Sequence, residues 1–305
     1  MNKVRVIVPA STANLGPGFD TLGMAFQLYT TIELRYAEKT EIRMNGPELD
    51  KLPTDKSNLL YQIAAQLFAE AGRPAPELLF EVESTVPLTR GLGSSAAAIV
   101  GALVSANALL DEPFTREQLF AMACRLEGHP DNVGASLFGG FVVATMPDTE
   151  QAAVPYVRFT APEQLHALAV IPDFWLSTEK ARTVLPDLYR KEDMIYNVGH
   201  SSLLVAALAQ GRLDLLASAM QDRLHQPYRA QLVPGLSEIL ASAAEHGAWG
   251  AALSGAGPTI ICFYTGETNR QQLLSFVDRI MVKHQVGYQT LTLLPDNDGV
   301  QVSKI

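Results

Sequence analysis

Pro87-Leu88-Thr89-Arg90-Gly91-Leu92-Gly93-Ser94-Ser95-Ala96-Ala97 joins a strand-like run, Leu78 to Val86, to a helix-like run, Ala96 to Leu110. Gly91 and Gly93 can take positive φ and put no side chain in the way. Their amides, with those of Ser94 and Ser95, then point outward where the helix begins. A helix N-terminus has unpaired N–H donors and a partial positive charge, so it suits a phosphate. The Ser hydroxyls can cap the helix, hold a phosphate oxygen or reach a metal. The plainer reading is a Gly turn with a Ser cap and a buried helix. The stretch is not a Walker A loop, which needs Gly-Lys-Ser/Thr after its second Gly. Nor is it a dinucleotide fingerprint, because the third Gly is missing.

The 305 residues suffice for one large or two ordinary domains, and 48% hydrophobic with 18% charged residues is a globular composition. A net charge of −9 argues against a nucleic-acid partner. An acidic protein that binds anionic phosphates must do so with local amides, Arg and metal. Cys124 and Cys262 lie in apolar runs without CxxC spacing and read as reduced core thiols. Met1 to Ala10 has too short an apolar region for a signal peptide. The apolar window Ala96 to Leu110 is interrupted by Ser105 and Asn107 and is too short to span a bilayer. The expectation is a soluble, cytoplasmic protein without a membrane partner.

Working outward, Val4 to Val8 reads as a strand, and Leu28, Thr30, Ile32 and Leu34 alternate with polar neighbours as a half-buried strand, with Glu41 to Asn45 as its candidate partner. Leu60, Ile63, Ala64, Leu67, Phe68 and Ala71 recur at helical spacing until Gly72 and Pro74. Thr115 and Gln118 form a capping-box pattern for a helix ending at Gly128. The second half gives a strand at Leu165 to Ile171 and helical runs at Asp193 to Gln210, Arg212 to His225 and Leu236 to His246. Strands follow at Trp249 to Leu253 and Thr259 to Tyr264, then a helix at Asn269 to His284 and a strand at Tyr288 to Leu294. Leaving out the extra helices, this is β-α-β-β-α-β, the split ferredoxin-like pattern. The polar, Pro-containing stretch Pro147 to Pro162 is the expected boundary, dividing the chain into 1–155 and 156–305.

Three further segments carry candidate chemistry. Pro9 to Gly23 is Gly-rich after a strand; Asn14 and Asp20 offer an amide and a carboxylate to a small polar substrate, or make local turn bonds. In Glu127-Gly128-His129-Pro130-Asp131-Asn132-Val133 a helix ends and polar side chains converge. Glu127 suits Mg²⁺, which prefers carboxylate and phosphate oxygens. His129 has no second His or Cys at ligand spacing, which disfavours zinc. Asp131 reads equally as the N-cap of Val133 to Phe138. Leu253 to Thr259 is a hairpin loop or a Gly-rich loop packed on the phosphate site, where bulk would clash. Arg182 and Arg229 are surface charges, or the forks that a carboxylate substrate requires. His166, His200, His225, His246 and His284 are scattered and receive no role, and no Gly-x-Ser-x-Gly elbow occurs.

The Pro87 to Ala97 loop resembles the phosphate loop of the GHMP kinase superfamily, named after galactokinase, homoserine kinase, mevalonate kinase and phosphomevalonate kinase. That signature is Pro, a few residues, then Gly-Leu-Gly-Ser-Ser-Ala. All three Gly-rich segments occur in the family's order and span nearly the whole chain. Asn14-Leu15-Gly16-Pro17-Gly18-Phe19-Asp20 and His129-Pro130-Asp131-Asn132-Val133 look like the homoserine kinases within it. The resemblance implies an α+β fold of two domains: an ATP-binding N-terminal half like domain 2 of ribosomal protein S5, and a ferredoxin-like C-terminal half. It implies ATP-dependent phosphorylation of the side-chain hydroxyl of L-homoserine, a step of threonine biosynthesis, with ATP and Mg²⁺. Pro87 to Ala97 would bind ATP, with Arg90 to Ala97 around the phosphates and Asn58 near the adenine. Ser95 and Glu127 would hold Mg²⁺ and serve catalysis together with Asn14. Asn14, Asp20, His129, Arg182 and Arg229 would bind homoserine, its ammonium on Asp20 and its carboxylate on the arginines. No Lys stands in the first motif, so catalysis by positioning and charge stabilisation, without a strong base, is expected. Only Gly128 separates Glu127 from His129, a shorter spacer than some homoserine kinases have. Homodimers are common in the family, and no residue of this chain specifies one. Another small alcohol as acceptor, or a non-catalytic binding protein of the same fold, are the competing readings.

Overall fold

Val4, Val6 and Val8 are buried while Arg5 faces solvent, the alternation of a strand with one wet face. The strand does not stop there. In this computed structural model, which describes residues 3–149 and 152–305, β1 (Lys3–Asn14) continues through Ser11 and Thr12. Those buried polar residues stay paired with β2 (Gly18–Tyr36), across register shifts at Pro9/Ala10 and Ala13/Asn14. β3 (Glu41–Asn45), α1 (Leu59–Glu70), β4 (Leu78–Ser84), α2 (Ser94–Leu109), α3 (Arg116–Glu127), α4 (Asp131–Phe138), β5 (Phe141–Ala144) and β6 (Tyr156–Phe159) follow. After them come β7 (His166–Pro172), α5 (Thr178–Thr183), α6 (Lys191–Ala209), α7 (Leu216–Ala219), α8 (Gln226–Arg229) and α9 (Leu236–Ser242). β8 (Gly250–Leu253), β9 (Ile260–Tyr264), α10 (Glu267–Lys283), β10 (Tyr288–Leu293) and β11 (Gln301–Lys304) complete the order.

The first sheet has seven strands, ordered β11-β1-β2-β4-β3, with β5 and β6 branching from β2. The second has four, β10-β7-β9-β8, every neighbour antiparallel. That order follows from the β-α-β-β-α-β pattern of the second half. The expected helical run Arg212 to His225 is shorter, a 3-10 turn at Leu213–Leu215 followed by α7 only, and two expectations about the first sheet change. Glu41–Asn45 pairs with β4, in parallel, and not with β2, because β4 takes the β2 edge. The division at 155/156 is crossed twice, since β6 pairs with β5 and β11 pairs with β1 in the first sheet. Glu150 and Gln151 of the expected boundary lie outside the described residues.

Three apolar clusters stack through the molecule. Helices α1 to α4 cover one face of the first sheet. Leu22, Met24, Phe26 and Phe141 of its other face meet Ala167, Ala169, Ile261 and Phe263 of the second sheet. α9 and α10 cover the far face of that sheet. Helix α2 runs through the first cluster with every residue from Ile99 to Leu109 buried, as an apolar-all-round sequence requires. Cys124 and Cys262 are free and buried in different clusters, and burial pushes the Cys262 thiol up to about 12. No helix among the described residues is long and apolar enough to cross a membrane.

Candidate active site

Three Gly-rich loops meet where the two sheets join. Ser11 N–H donates to Leu92 O at 3.2 Å, Gly255 N–H to Ala13 O at 3.2 Å, and Thr259 N–H to Arg90 O at 3.3 Å. The buried Ser254 hydroxyl donates to Gly91 O at 2.5 Å. Close approach explains the glycines: a Cβ on Gly91 would lie 2.4 Å from Ser254 O, and one on Gly93 would lie 2.1 Å from Ser11 Oγ. The third loop is therefore packed on the first two, where bulk clashes. Asn14, Leu15, Asp20 and Thr89 all hold positive φ around the same point, strain of a kind that collects at ligand sites.

Gly93, at φ +70°, caps α2 without a side chain. No side chain caps the helix, so its first-turn N–H groups, which lack intrahelical partners, are left as anion donors. Ser95 Oγ instead donates to Glu127 Oε2 at 3.0 Å. Glu127 reaches this point because the Thr115–Gln118 capping box starts α3 and Gly128, at φ +86°, ends it. Burial raises the Glu127 carboxyl above its ordinary value, against the pull of His129 and Ser95. Ser95 and Glu127 present only oxygens, the donor set of a hard cation such as Mg²⁺.

A cavity of about 200 Å³ is lined by this wall together with Asp20, Arg182 and Arg229. Arg182 Nη2 spans both Asp20 oxygens, at 2.9 and 3.0 Å. Arg229 is 1% exposed, and burial with the neighbouring Arg182 lowers its guanidinium to about 10, so it stays charged at neutral pH. Both guanidinium groups lie over the Phe19 ring, 5.5 Å (Arg182) and 5.3 Å (Arg229) from its centroid. His129 Nδ1 sits 2.6 Å from Asp131 Oδ1. Burial would depress that imidazole, but the bond to Asp131 and its charge outweigh it and raise the value to about 9. Asp131 is not the N-cap of α4 but its first residue, with Pro130 at the cap, and its carboxylate also accepts the Asn132 N–H at 2.6 Å.

Asn14 lines the cavity, but its amide ties loops together: Nδ2 donates to Gly255 O at 2.9 Å and Oδ1 accepts from Asp20 N–H at 3.0 Å. One N–H and one lone pair remain for a ligand. Asn58 is not in the cavity wall. It caps α1, with Oδ1 accepting from Leu60 N–H at 2.9 Å and Nδ2 donating to Pro53 O at 2.6 Å. Sequence reasoning missed Ser11, Phe19, Asn132, Ser254 and His225. The signal for Phe19 was its place between Gly18 and Asp20. Asn132 accepts from Ser11 Oγ at 3.0 Å, a contact across 121 residues that no local pattern encodes.

Comparison with known proteins places this construction. The family model of the GHMP kinases N terminal domain matches residues 58–140, and that of the GHMP kinases C terminal domain matches residues 204–283. A curated homoserine kinase of Deinococcus radiodurans is 47% identical over 297 residues, covering 97% of this chain and 96% of its own. The crystal structure of homoserine kinase from Cytophaga hutchinsonii superposes with a TM-score of 0.87 at 27% identity, covering 99% of this chain and 98% of that one. The L. major mevalonate kinase, solved with R-mevalonate, shares the fold with a TM-score of 0.68 at 17% identity over 95% of both chains. With a helix N-terminus, an oxygen pair and paired arginines around one cleft, the chain belongs to the GHMP kinases. Within that family its relatives are the homoserine kinases.

Proposed function

We infer that the protein transfers the γ-phosphoryl group of ATP to the side-chain hydroxyl of L-homoserine, giving O-phospho-L-homoserine. One observation carries the reading: a single small cavity is lined both by the bare α2 N-terminus with the Ser95–Glu127 oxygen pair and by Asp20, Arg182 and Arg229. The acceptor's ammonium and carboxylate are complementary to Asp20 and to the two arginines. Asp20 and Arg182 satisfy each other here, so a zwitterion would exchange one ion pair for two. The loop from Arg90 to Ala97 wraps the phosphates of ATP, with the Ala97 N–H itself held by Gly93 O at 2.9 Å. Ser95 and Glu127 would hold Mg²⁺, which when bound neutralises charge on the transferring phosphoryl group. Phosphoryl transfer through a loose transition state asks mainly for positioning and charge stabilisation. Asn14, with its remaining N–H and lone pair, orients the hydroxyl, and no strong base is required.

The test is ATP consumption with Mg²⁺ and a panel of L-homoserine, mevalonate, galactose and shikimate. Turnover with L-homoserine alone, lost in Glu127→Ala, is expected. Turnover with another member of the panel and none with L-homoserine would discard the acceptor assignment. ATP binding without turnover of any alcohol would favour a non-catalytic protein of this fold.

A further inference from the structure

His225 is completely buried and takes no part in the chemistry described above. It sits at the entry to α8, where the Asp222 carboxylate accepts the N–H groups of Leu224 (2.8 Å), His225 (3.0 Å) and Gln226 (2.7 Å). Its ring stacks on Phe19, with centroids 5.1 Å apart and planes inclined by 24°. Its Nε2 lies 2.7 Å from Gly16 O, in the loop that carries Asn14 and Asp20. A carbonyl only accepts, so Nε2 carries the proton. Nδ1 is then a lone pair, and Arg229 Nη1 donates towards it at 3.3 Å. Burial and the Arg229 charge favour the neutral imidazole over the pull of Asp222, whose Oδ2 is 3.6 Å from Nε2, and of Asp20.

The same arginine donates from Nε to Ala181 O at 3.1 Å and from Nη1 to Gly255 O at 3.0 Å. Three of its five N–H groups are thus committed, and the two on Nη2 remain for a ligand. With Nε and Nη1 tied, the guanidinium plane is fixed.

We propose that His225 is a positioning residue: it ties the substrate loop, through the Gly16 carbonyl, to the guanidinium that receives the acceptor's carboxylate. Its Nε2–H tautomer sets which edge of Arg229 faces the cavity. This rests on the reading of L-homoserine as the acceptor. His225 touches neither substrate and acts through Arg229 and Gly16.

The experiment compares kcat/KM for L-homoserine with that for the amino diol in which a hydroxymethyl group replaces the carboxylate. His225→Asn keeps an acceptor where Nδ1 stands. His225→Gln keeps a donor where Nε2 stands and has no acceptor where Nδ1 stands. Both replacements are polar and no larger than imidazole. Each variant keeps one bond and cuts the tie, so each is expected to lose about tenfold of the wild-type preference for the carboxylate substrate, the scale of one hydrogen bond to a charged group. A merely structural residue would lower both substrates by one factor, so an unchanged preference in His225→Gln overturns this proposal alone. A wild-type protein that ignores L-homoserine overturns the proposal together with the acceptor assignment.

Discussion

Ser95 Oγ and Glu127 Oε2 meet at 3.0 Å although one opens α2 and the other closes α3. The hydroxyl and the carboxylate thus stand paired at the anion-binding end of the central helix. Glu127→Gln keeps the shape and the bond to Ser95 but removes the negative charge. Its kcat should fall roughly a hundredfold or more, with a higher Mg²⁺ concentration needed for half-maximal rate, as expected when a metal-positioning group is lost. Steady-state rates across a Mg²⁺ titration check this; an unchanged titration would remove Glu127 from the metal site.

Gly91 and Gly72 both have positive φ, +80° and +70°, but only Gly91 has a neighbour within 4 Å, Ser254 O among them. Gly72→Ala should cost only the left-handed backbone penalty, about 1 kcal/mol, with activity intact. Gly91→Ala adds a clash with the third loop. It should cost about 3 kcal/mol and abolish ATP binding. Denaturant unfolding and nucleotide titration of the two variants separate the effects.

Arg182 and Arg229 should fail differently. Arg182 is partly exposed and pairs with Asp20 at the surface, so Arg182→Lys should leave the melting temperature nearly unchanged. It should still raise KM for L-homoserine about tenfold by losing the fork. Arg229 is buried on three protein acceptors. Arg229→Lys should therefore raise KM and also lower stability by about 2 kcal/mol or more. Kinetics paired with calorimetry tell the two apart.

The depressed basicity of buried His225 has a pH signature. Below its ordinary value of 6.5 the unfolded chain takes up a proton that the folded protein refuses. Stability from this group is full above that value and is lost as pH falls through it. The difference in melting temperature between wild type and His225→Asn should thus change between about pH 7 and pH 5 and stay flat above pH 7. A difference that is constant across this range would mean that His225 titrates normally.

The parts legible in the sequence were those with a local cause. Gly91 and Gly93 are small because Ser254 and Ser11 pass within contact distance, and small residues in a row are visible. The capping box of α3 and the order of the second sheet were likewise readable from spacing. Alternation shows which face of a strand is wet but not which strand lies beside it, which is why β3 was assigned the wrong neighbour. β11 is exposed along its whole length and carries no burial pattern, so its return to the first sheet left no trace. Asn58 belongs to a cap whose signal is the same whether or not a ligand lies near. The Phe19–His225 stack joins side chains from distant loops and is written only in the tertiary structure.

Val4 faces Lys304 across the β1–β11 ladder, so the sheet that bears the anion loop is sealed by a contact between the two most distant parts of the sequence. Loop-closure entropy makes such a contact costly early and raises contact order. The first sheet is therefore not complete until the C-terminal strand has been added to it. A chain cut before Gln301 would keep all three Gly-rich loops and yet leave the rim of β1 as an open ladder, inviting another molecule to supply the missing strand.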